Sequence, residues 1–371
     1  MQAVHFTSDR KGLLLMTAAR VFGARRVMAS VRAEALLVLG LINIRYLGGF
    51  TGSDAVLCLG LENGWLLCDS RYITQAALET EGFAITEYLL KVDGIADLIT
   101  GQGWKRVAFD AEKTPYALFK SLAAALPEVE FIPLGAELDE LRGVKSDAEI
   151  AAVAHSCSLA STGFNKLLEF IRPGITEKEL ALELEILLRR AGADNKAFDF
   201  IVASGERGAL PHGVATSKCL QKGELVTIDF GVCCNGYHSD ETVTVAVGGA
   251  DERQRKIYAV VKEAHDLALQ AVRPGIACLE LDSIARRSIN RHGLGEFFRH
   301  GLGHGVGLEI HEKPTLSPRS EQALVEGMII TIEPGVYIPG WGGVRIEDTV
   351  VVTTDGCRTL TEVPKELIIA G

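Results

Sequence analysis

Three features are missing from this 371-residue sequence, and each absence narrows what it can be. Its eight cysteines, at 58, 68, 157, 219, 233, 234, 278 and 357, form no C-x-x-C pair and are scattered over a long chain. That pattern excludes zinc-finger geometry and a small disulfide scaffold, and it reads as reduced thiols in a cytoplasmic protein. There is no excess of positive charge either: 38 Lys and Arg stand against 48 Asp and Glu, a formal net charge of −10. This balance argues against a nucleic-acid surface and would follow if carboxylates were gathered to hold cations. Finally, no apolar run approaches the roughly 20 residues of a membrane-spanning helix, so no membrane partner is expected. The N-terminal apolar patch from Gly12 to Ala19, followed by Arg20, Arg25 and Arg26, is short and lacks a small-residue cleavage site, which makes it a poor secretory signal.

What is present is an ordinary globular composition, 47% hydrophobic and 23% charged, with enough length for two domains. Residues 34–134 alternate strand and helix patterns. Ala35–Leu39, Val56–Leu61, Trp65–Asp69, Phe83–Tyr88, Arg106–Asp110 and Val129–Leu134 read as strands. Asn63-Gly64 predicts a hairpin because both residues tolerate positive φ, and Thr114-Pro115 predicts an N-cap followed by proline at the first helical position. This is an N-terminal α/β domain, residues 1–140, with no catalytic cluster of its own. A boundary falls near Leu141–Ser146, where Ser146-Asp147-Ala148-Glu149 has capping-box spacing and opens a long helix.

Residues 141–371 contain an internal repeat. Arg172-Pro173-Gly174-Ile175 recurs 101 residues later as Arg273-Pro274-Gly275-Ile276, each followed by a helical pattern that reaches Gly192 or Gly293. Thr227-Ile228-Asp229-Phe230-Gly231-Val232 is echoed by Thr331-Ile332-Glu333-Pro334-Gly335-Val336, and Asp240-Glu241-Thr242-Val243 by Glu347-Asp348-Thr349-Val350. Each half therefore carries helices and then a β-hairpin with an acid on either strand. Two copies are too few for a solenoid, so a pseudo-twofold α+β domain is expected, with four carboxylates around one centre.

Acids on strands are ordinarily solvated. Here Ile228, Ile332, Val243 and Val350 mark apolar strands, where an unpaired carboxylate is costly and a cation removes the cost. The cluster His300-Gly301-Leu302-Gly303-His304-Gly305-Val306-Gly307, with His311 beyond it, is too glycine-rich for a zinc-binding helix and misses the dinucleotide fingerprint. It reads as an irregular segment that aims imidazoles into a cleft. His5, His155, His238, His265 and His292 read as structural. Four carboxylates with one histidine form a hard, oxygen-rich donor set with room for two divalent ions, among which manganese, cobalt, iron and zinc are all chemically reasonable. Two such ions can activate a shared water and polarise a carbonyl, so amide hydrolysis is the natural chemistry.

With these motifs in view, the chain resembles the creatinase/aminopeptidase P/prolidase group, whose catalytic domain has the duplicated pita-bread fold. The resemblance runs from about Arg45 onward, including Arg45–Ser53 and the segment from Ala203-Ser204-Gly205 to Leu210-Pro211-His212-Gly213. It implies that Asp229, Asp240, His304, Glu333 and Glu347 ligate two metal ions, manganese first among the candidates, with Asp240 and Glu347 bridging both. It implies that Glu333 shuttles a proton, that His212 and His311 contact the substrate and its tetrahedral intermediate, and that His300 and Arg345 line the same cleft. It also implies a homodimer, and a peptide substrate with proline in second position. A basic residue four places after His311 marks some dipeptidase relatives. Thr315 stands there, so the expectation leans to an Xaa-Pro aminopeptidase, with an Xaa-Pro dipeptidase as the alternative. Creatinase-type enzymes and non-enzymatic relatives lose metal ligands that are complete here, and methionine aminopeptidases lack the N-terminal domain.

Overall fold

The computed structural model describes residues 10–371, with side chains in the first helix described from Thr17 onward, and divides into two compact units, 1–142 and 143–371. His5 lies outside the described residues. No helix among those described is long and apolar enough to cross a membrane.

The first unit runs α1 (Arg10–Ser30), β1 (Ala35–Val38), α2 (Leu41–Gly48), β2 (Val56–Gly60), β3 (Gly64–Cys68), α3 (Ile73–Glu79), β4 (Ala84–Glu87), α4 (Lys91–Gln102), β5 (Arg106–Asp110), α5 (Tyr116–Ala125), β6 (Glu130–Leu134) and α6 (Glu137–Glu140). Its six strands form one mixed sheet in the order β4-β3-β2-β1-β5-β6. The β2/β3 hairpin expected around Asn63-Gly64 forms, but two local details differ for physical reasons. Neither Asn63 nor Gly64 adopts positive φ. Gly64 already belongs to β3, opposite Leu59, and a Cβ there would lie 2.8 Å from the Phe83 ring, so the glycine serves close packing rather than the turn. Thr114 does not cap α5. Its hydroxyl bonds back to the Asp110 carbonyl at 2.8 Å, and Pro115 occupies the N-cap position.

The second unit begins with α7 (Asp147–Leu167), whose N-terminus carries the expected Ser146/Glu149 capping box. It continues with α8 (Glu177–Ala191), β7 (Asn195–Lys196), β8 (Ile201–Ser204), β9 (Leu225–Phe230), β10 (Val232–Cys234), β11 (Tyr237–His238) and β12 (Glu241–Val247). The second half follows: α9 (Glu252–Ala271), α10 (Cys278–Arg291), β13 (Gly303–Gly305), β14 (Glu312–Leu316), β15 (Ile329–Ile332), β16 (Gly335–Ile338), β17 (Gly342–Arg345), β18 (Asp348–Val352), β19 (Cys357–Thr359) and β20 (Ile368–Ala370). The repeat is thus realised as two helices followed by an antiparallel strand pair, β9/β12 and β15/β18. The two strands of each pair are joined through a smaller ribbon rather than by a tight hairpin turn. The pairs belong to sheets ordered β20-β12-β9-β8 and β14-β13-β15-β18-β19.

Each half has its own apolar core. In the first, Leu180, Leu184 and Leu188 recur at helical spacing on α8, are at most 2% exposed, and pack with Val226, Ile228, Val243 and Val245 of the sheet. Truncating any one of these leucines to alanine costs about 2–5 kcal/mol. In the second, Leu281, Ala285 and Ile289 of α10 meet Ile330, Ile332, Val350 and Val352. Because strand side chains alternate, packing these residues inward fixes which neighbours turn to the opposite face. On β9, Asp229 alternates with Val226 and Ile228 and so turns to the face away from α8.

Candidate metal centre

Each acid sits at the end of one of the four central strands. Asp229 is the penultimate residue of β9, Asp240 immediately precedes β12, Glu333 immediately follows β15, and Glu347 immediately precedes β18. Hydrogen bonds between the halves clamp these ends together. Thr242 donates to Glu347 Oε2 at 2.7 Å, and the Glu347 amide donates to the Thr242 carbonyl at 3.2 Å. Thr349, the counterpart of Thr242, donates to the Asp240 carbonyl at 2.7 Å.

His304 enters from β13, which is a three-residue strand and not the wholly irregular segment expected from its glycines. A Cβ on Gly303 would come within 2.1 Å of the Thr331 carbonyl oxygen, so only glycine lets this strand lie against β15. A bulge separates His304 from Gly305. The His304 Nδ1–H faces the Gly305 carbonyl at 3.0 Å, leaving Nε2 as the acceptor nitrogen. That Nε2 lies 3.4 Å from Asp240 Oδ2 and 3.4 Å from Glu333 Oε1.

Candidate ligand atoms of Asp240, His304 and Glu347 all fall within 4.8 Å of one another. Glu333 joins them through His304, and Thr331 donates to its Oε1 at 3.1 Å. Asp229 is held by Arg345, whose Nη2 donates to Oδ2 at 2.6 Å. Two buried oxygens, Asp229 Oδ1 and Glu347 Oε1, have no protein partner. Burial, with mutual repulsion, pushes the Asp240 and Glu347 carboxyls well above the usual carboxylate range, and burial raises Glu333 as well. Crowded acids with orphaned oxygens and one imidazole nitrogen turned toward them make a donor set that fits divalent cations.

Arg345 is 3% exposed and organises the wall of the site. Besides Asp229 it donates to Thr242 Oγ1 at 3.0 Å, to the Tyr337 hydroxyl at 2.8 Å and to the Pro211 carbonyl at 3.2 Å. Tyr337 lies 2.9 Å from His300 Nε2, while His300 Nδ1 faces the Gly301 carbonyl at 2.7 Å. Burial and the nearby Arg345 charge lower His300 to about 4, so this imidazole is neutral at physiological pH. His311 is exposed, with its ring 4.3 Å from that of His304 in an edge-on arrangement. Partial desolvation and His304 hold it below the ordinary histidine range.

His212 is exposed on a segment pinned by the fully buried Glu177. Glu177 accepts from the Ser204 amide at 2.9 Å and the Thr216 amide at 3.0 Å, and pairs with Arg207. All nine residues singled out from the sequence therefore belong to this one region. Tyr337, Thr242 and Thr331 were not singled out, although the repeat carried a signal for two of them. Thr242 and Thr349 are repeat counterparts two residues beyond Asp240 and Glu347, as Thr227 and Thr331 are two residues before Asp229 and Glu333.

Comparison with known proteins places this geometry in a family. Residues 151–354 match the model of metallopeptidase family M24, and residues 20–144 match the creatinase/prolidase N-terminal domain. The latter match begins well before Arg45, inside α1. The chain is 48% identical over 239 residues to an Xaa-Pro dipeptidase of Pyrococcus furiosus, covering 64% of this chain and 69% of that one. Among solved structures, an Xaa-Pro dipeptidase from Bacillus anthracis superposes with a TM-score of 0.93 at 38% identity, covering 95% of this chain and 99% of the other. An X-Pro aminopeptidase from Thermotoga maritima superposes with a TM-score of 0.86 at 36% identity, covering 91% and 98%. The fold is accordingly the duplicated pita-bread fold, preceded in the sequence by a creatinase-type α/β domain, and the chain belongs to metallopeptidase family M24.

Proposed function

We propose that this protein is an Xaa-Pro dipeptidase that uses two divalent cations. The observation that carries the reading is the clustering of Asp240, His304 and Glu347 ligand atoms within 4.8 Å, in a chain 48% identical to a relative named as such a dipeptidase. This choice departs from the aminopeptidase expectation drawn from Thr315. That residue is exposed on β14, and the curated relatives named for their substrate speak for the dipeptidase.

In this reading Asp229 and Asp240 from the first half of the repeat and His304, Glu333 and Glu347 from the second would together hold the two ions. Manganese is favoured by a set of four carboxylates and one imidazole, with cobalt, zinc and iron as substitutes. The cations, when bound, supply Lewis acidity at the scissile carbonyl and acidify the attacking water. Glu333, steadied by the Thr331 hydroxyl, accepts the water's proton and returns it to the proline nitrogen, which leaves as a secondary amine. His212 and His311 donate to the developing oxyanion, and His300 and Arg345 shape the cleft floor. A tertiary amide offers no N–H, so the site needs no acceptor for one. The remaining assignments are residues 1–140 as the N-terminal domain and 141–371 as the catalytic domain, working as a cytoplasmic homodimer.

The test is to reconstitute chelated protein with Mn²⁺ and compare Xaa-Pro dipeptides, Xaa-Pro-Yaa tripeptides and peptides without proline. Dipeptides should be cleaved at least about tenfold faster than tripeptides, a typical margin for one discriminating contact. Faster tripeptide cleavage would establish the aminopeptidase reading, to which the Thermotoga maritima neighbour lends support. Equal cleavage of peptides lacking proline would overturn both.

A further inference from the structure

Behind the candidate metal centre lies a second group of buried charges that the chemistry above does not use. Glu241 follows Asp240 and Asp348 follows Glu347, so the repeat places a second acid directly after each candidate bridging acid. Consecutive residues on a strand turn to opposite faces, and this second pair points away from the cation site. Both are buried: the Glu241 side chain is 0% exposed and that of Asp348 is 7% exposed.

One residue from the C-terminal segment meets both. Lys365 pairs through Nζ with Glu241 Oε1 and lies 3.3 Å from Asp348 Oδ1. Burial alone would lower its pKa, but the two carboxylates more than offset that and hold it charged. The remaining contacts are neutral donors or a histidine. Ser161 donates to Glu241 Oε2 at 3.0 Å, the Val363 amide donates to Oε1 at 3.3 Å, Thr361 donates to Asp348, and His265 Nε2 lies 3.2 Å from Asp348 Oδ2. None of these touches both acids. Without Lys365, Glu241 and Asp348, one from each half, would keep only these separate partners behind the strand ends that carry Asp240 and Glu347.

We propose that Lys365 is a positioning residue for the cation site, sharing its one charge between Glu241 and Asp348 to hold the β12 and β18 ends together. The inference rests on Asp240 and Glu347 being cation ligands. It makes cation affinity depend on a side chain that touches no cation, through a clasp duplicated by the repeat on the acid side and supplied singly on the basic side.

The experiment uses the full chain, freed of metal and titrated with Co²⁺, following both heat of binding and the visible absorption of the bound ion. Lys365→Met should weaken Co²⁺ binding about 10–100-fold, the usual effect of removing a group that supports metal ligands, and should change the Co²⁺ spectrum. Glu241→Gln, which removes one arm of the clasp and a buried charge, should weaken binding in the same direction by less. Lys365→Arg keeps the charge and should stay within a few-fold of the parent. Unchanged affinity and spectrum in Glu241→Gln would overturn the proposal, as would an equal loss in Lys365→Arg and Lys365→Met. Should Lys365→Met fail to fold, Glu241→Gln and Lys365→Arg still decide. Asp240→Ala separates the two levels of inference. If it binds Co²⁺ like the parent, the metal-site reading itself is wrong. If it abolishes binding while the clasp variants do nothing, only the positioning role falls.

Discussion

Arg345 and Asp229 meet through a single 2.6 Å hydrogen bond, Nη2 to Oδ2, which turns the other Asp229 oxygen inward with no protein partner. The guanidinium spends its remaining donors on Thr242, Tyr337 and Pro211, so it sets the direction of that free oxygen from several fixed points. Lysine cannot reproduce this fork. Arg345→Lys should therefore lower cation affinity about 10–100-fold while leaving the protein folded. Calorimetric titration of the chelated variant with Mn²⁺ checks this, and parental affinity would show that Asp229 needs no such guide.

The two neighbouring histidines should separate by role. His304→Ala is expected to lose one equivalent of bound metal per chain, because its Nε2 faces Asp240 and Glu333. His311→Ala should keep its metal and lose about 10²–10³-fold in turnover, the scale of one oxyanion donor. Elemental analysis beside steady-state kinetics distinguishes them. Equal metal loss in both variants would contradict the assignment.

Gly303→Ala should damage the site through backbone alone. The added methyl would sit 2.1 Å from the Thr331 carbonyl oxygen and force β13 away from β15. A cost of about 1–3 kcal/mol is expected, together with weakened metal binding because His304 moves with its strand. Urea unfolding and metal titration measure the two effects separately.

In the N-terminal domain, burial raises Asp110 to about 6 although the Gly40 and Leu39 amides donate to it. A carboxyl with a folded pKa above its unfolded value of 3.8 binds more protons when folded within that window. Its contribution is therefore complete below about 3.8 and is lost as pH rises towards 6. Asp110→Asn should remove roughly 2–3 kcal/mol of pH-dependent destabilisation across that interval. Thermal midpoints between pH 4 and 6 would reveal it as a flatter profile, and an identical profile would refute it.

Much of this was legible in the sequence because it rests on identity and spacing. The matched Asp229/Glu333 and Asp240/Glu347 pairs required only that two similar segments fold alike. The Ser146 capping box needed only a local interaction. What the sequence concealed depends on packing between distant elements. Gly64 looked like a turn residue, yet its reason for being glycine is the Phe83 ring. Thr114 looked like a cap, yet its hydroxyl finds Asp110 first. Tyr337 and Lys365 lie on no motif of their own, and their partners are fixed only when the sheets assemble.

The reciprocal threonine bonds have a consequence for how the protein matures. Thr242 reaches Glu347 across 105 residues, and Thr349 reaches Asp240 across 109. Contacts so far apart close late, after the local helices have formed. A chain that has organised only its first half offers a stray ion Asp229 and Asp240 and nothing more. In the proposed assignment the other three ligands, His304, Glu333 and Glu347, come from the second half, so the full donor set exists only once the two halves have docked.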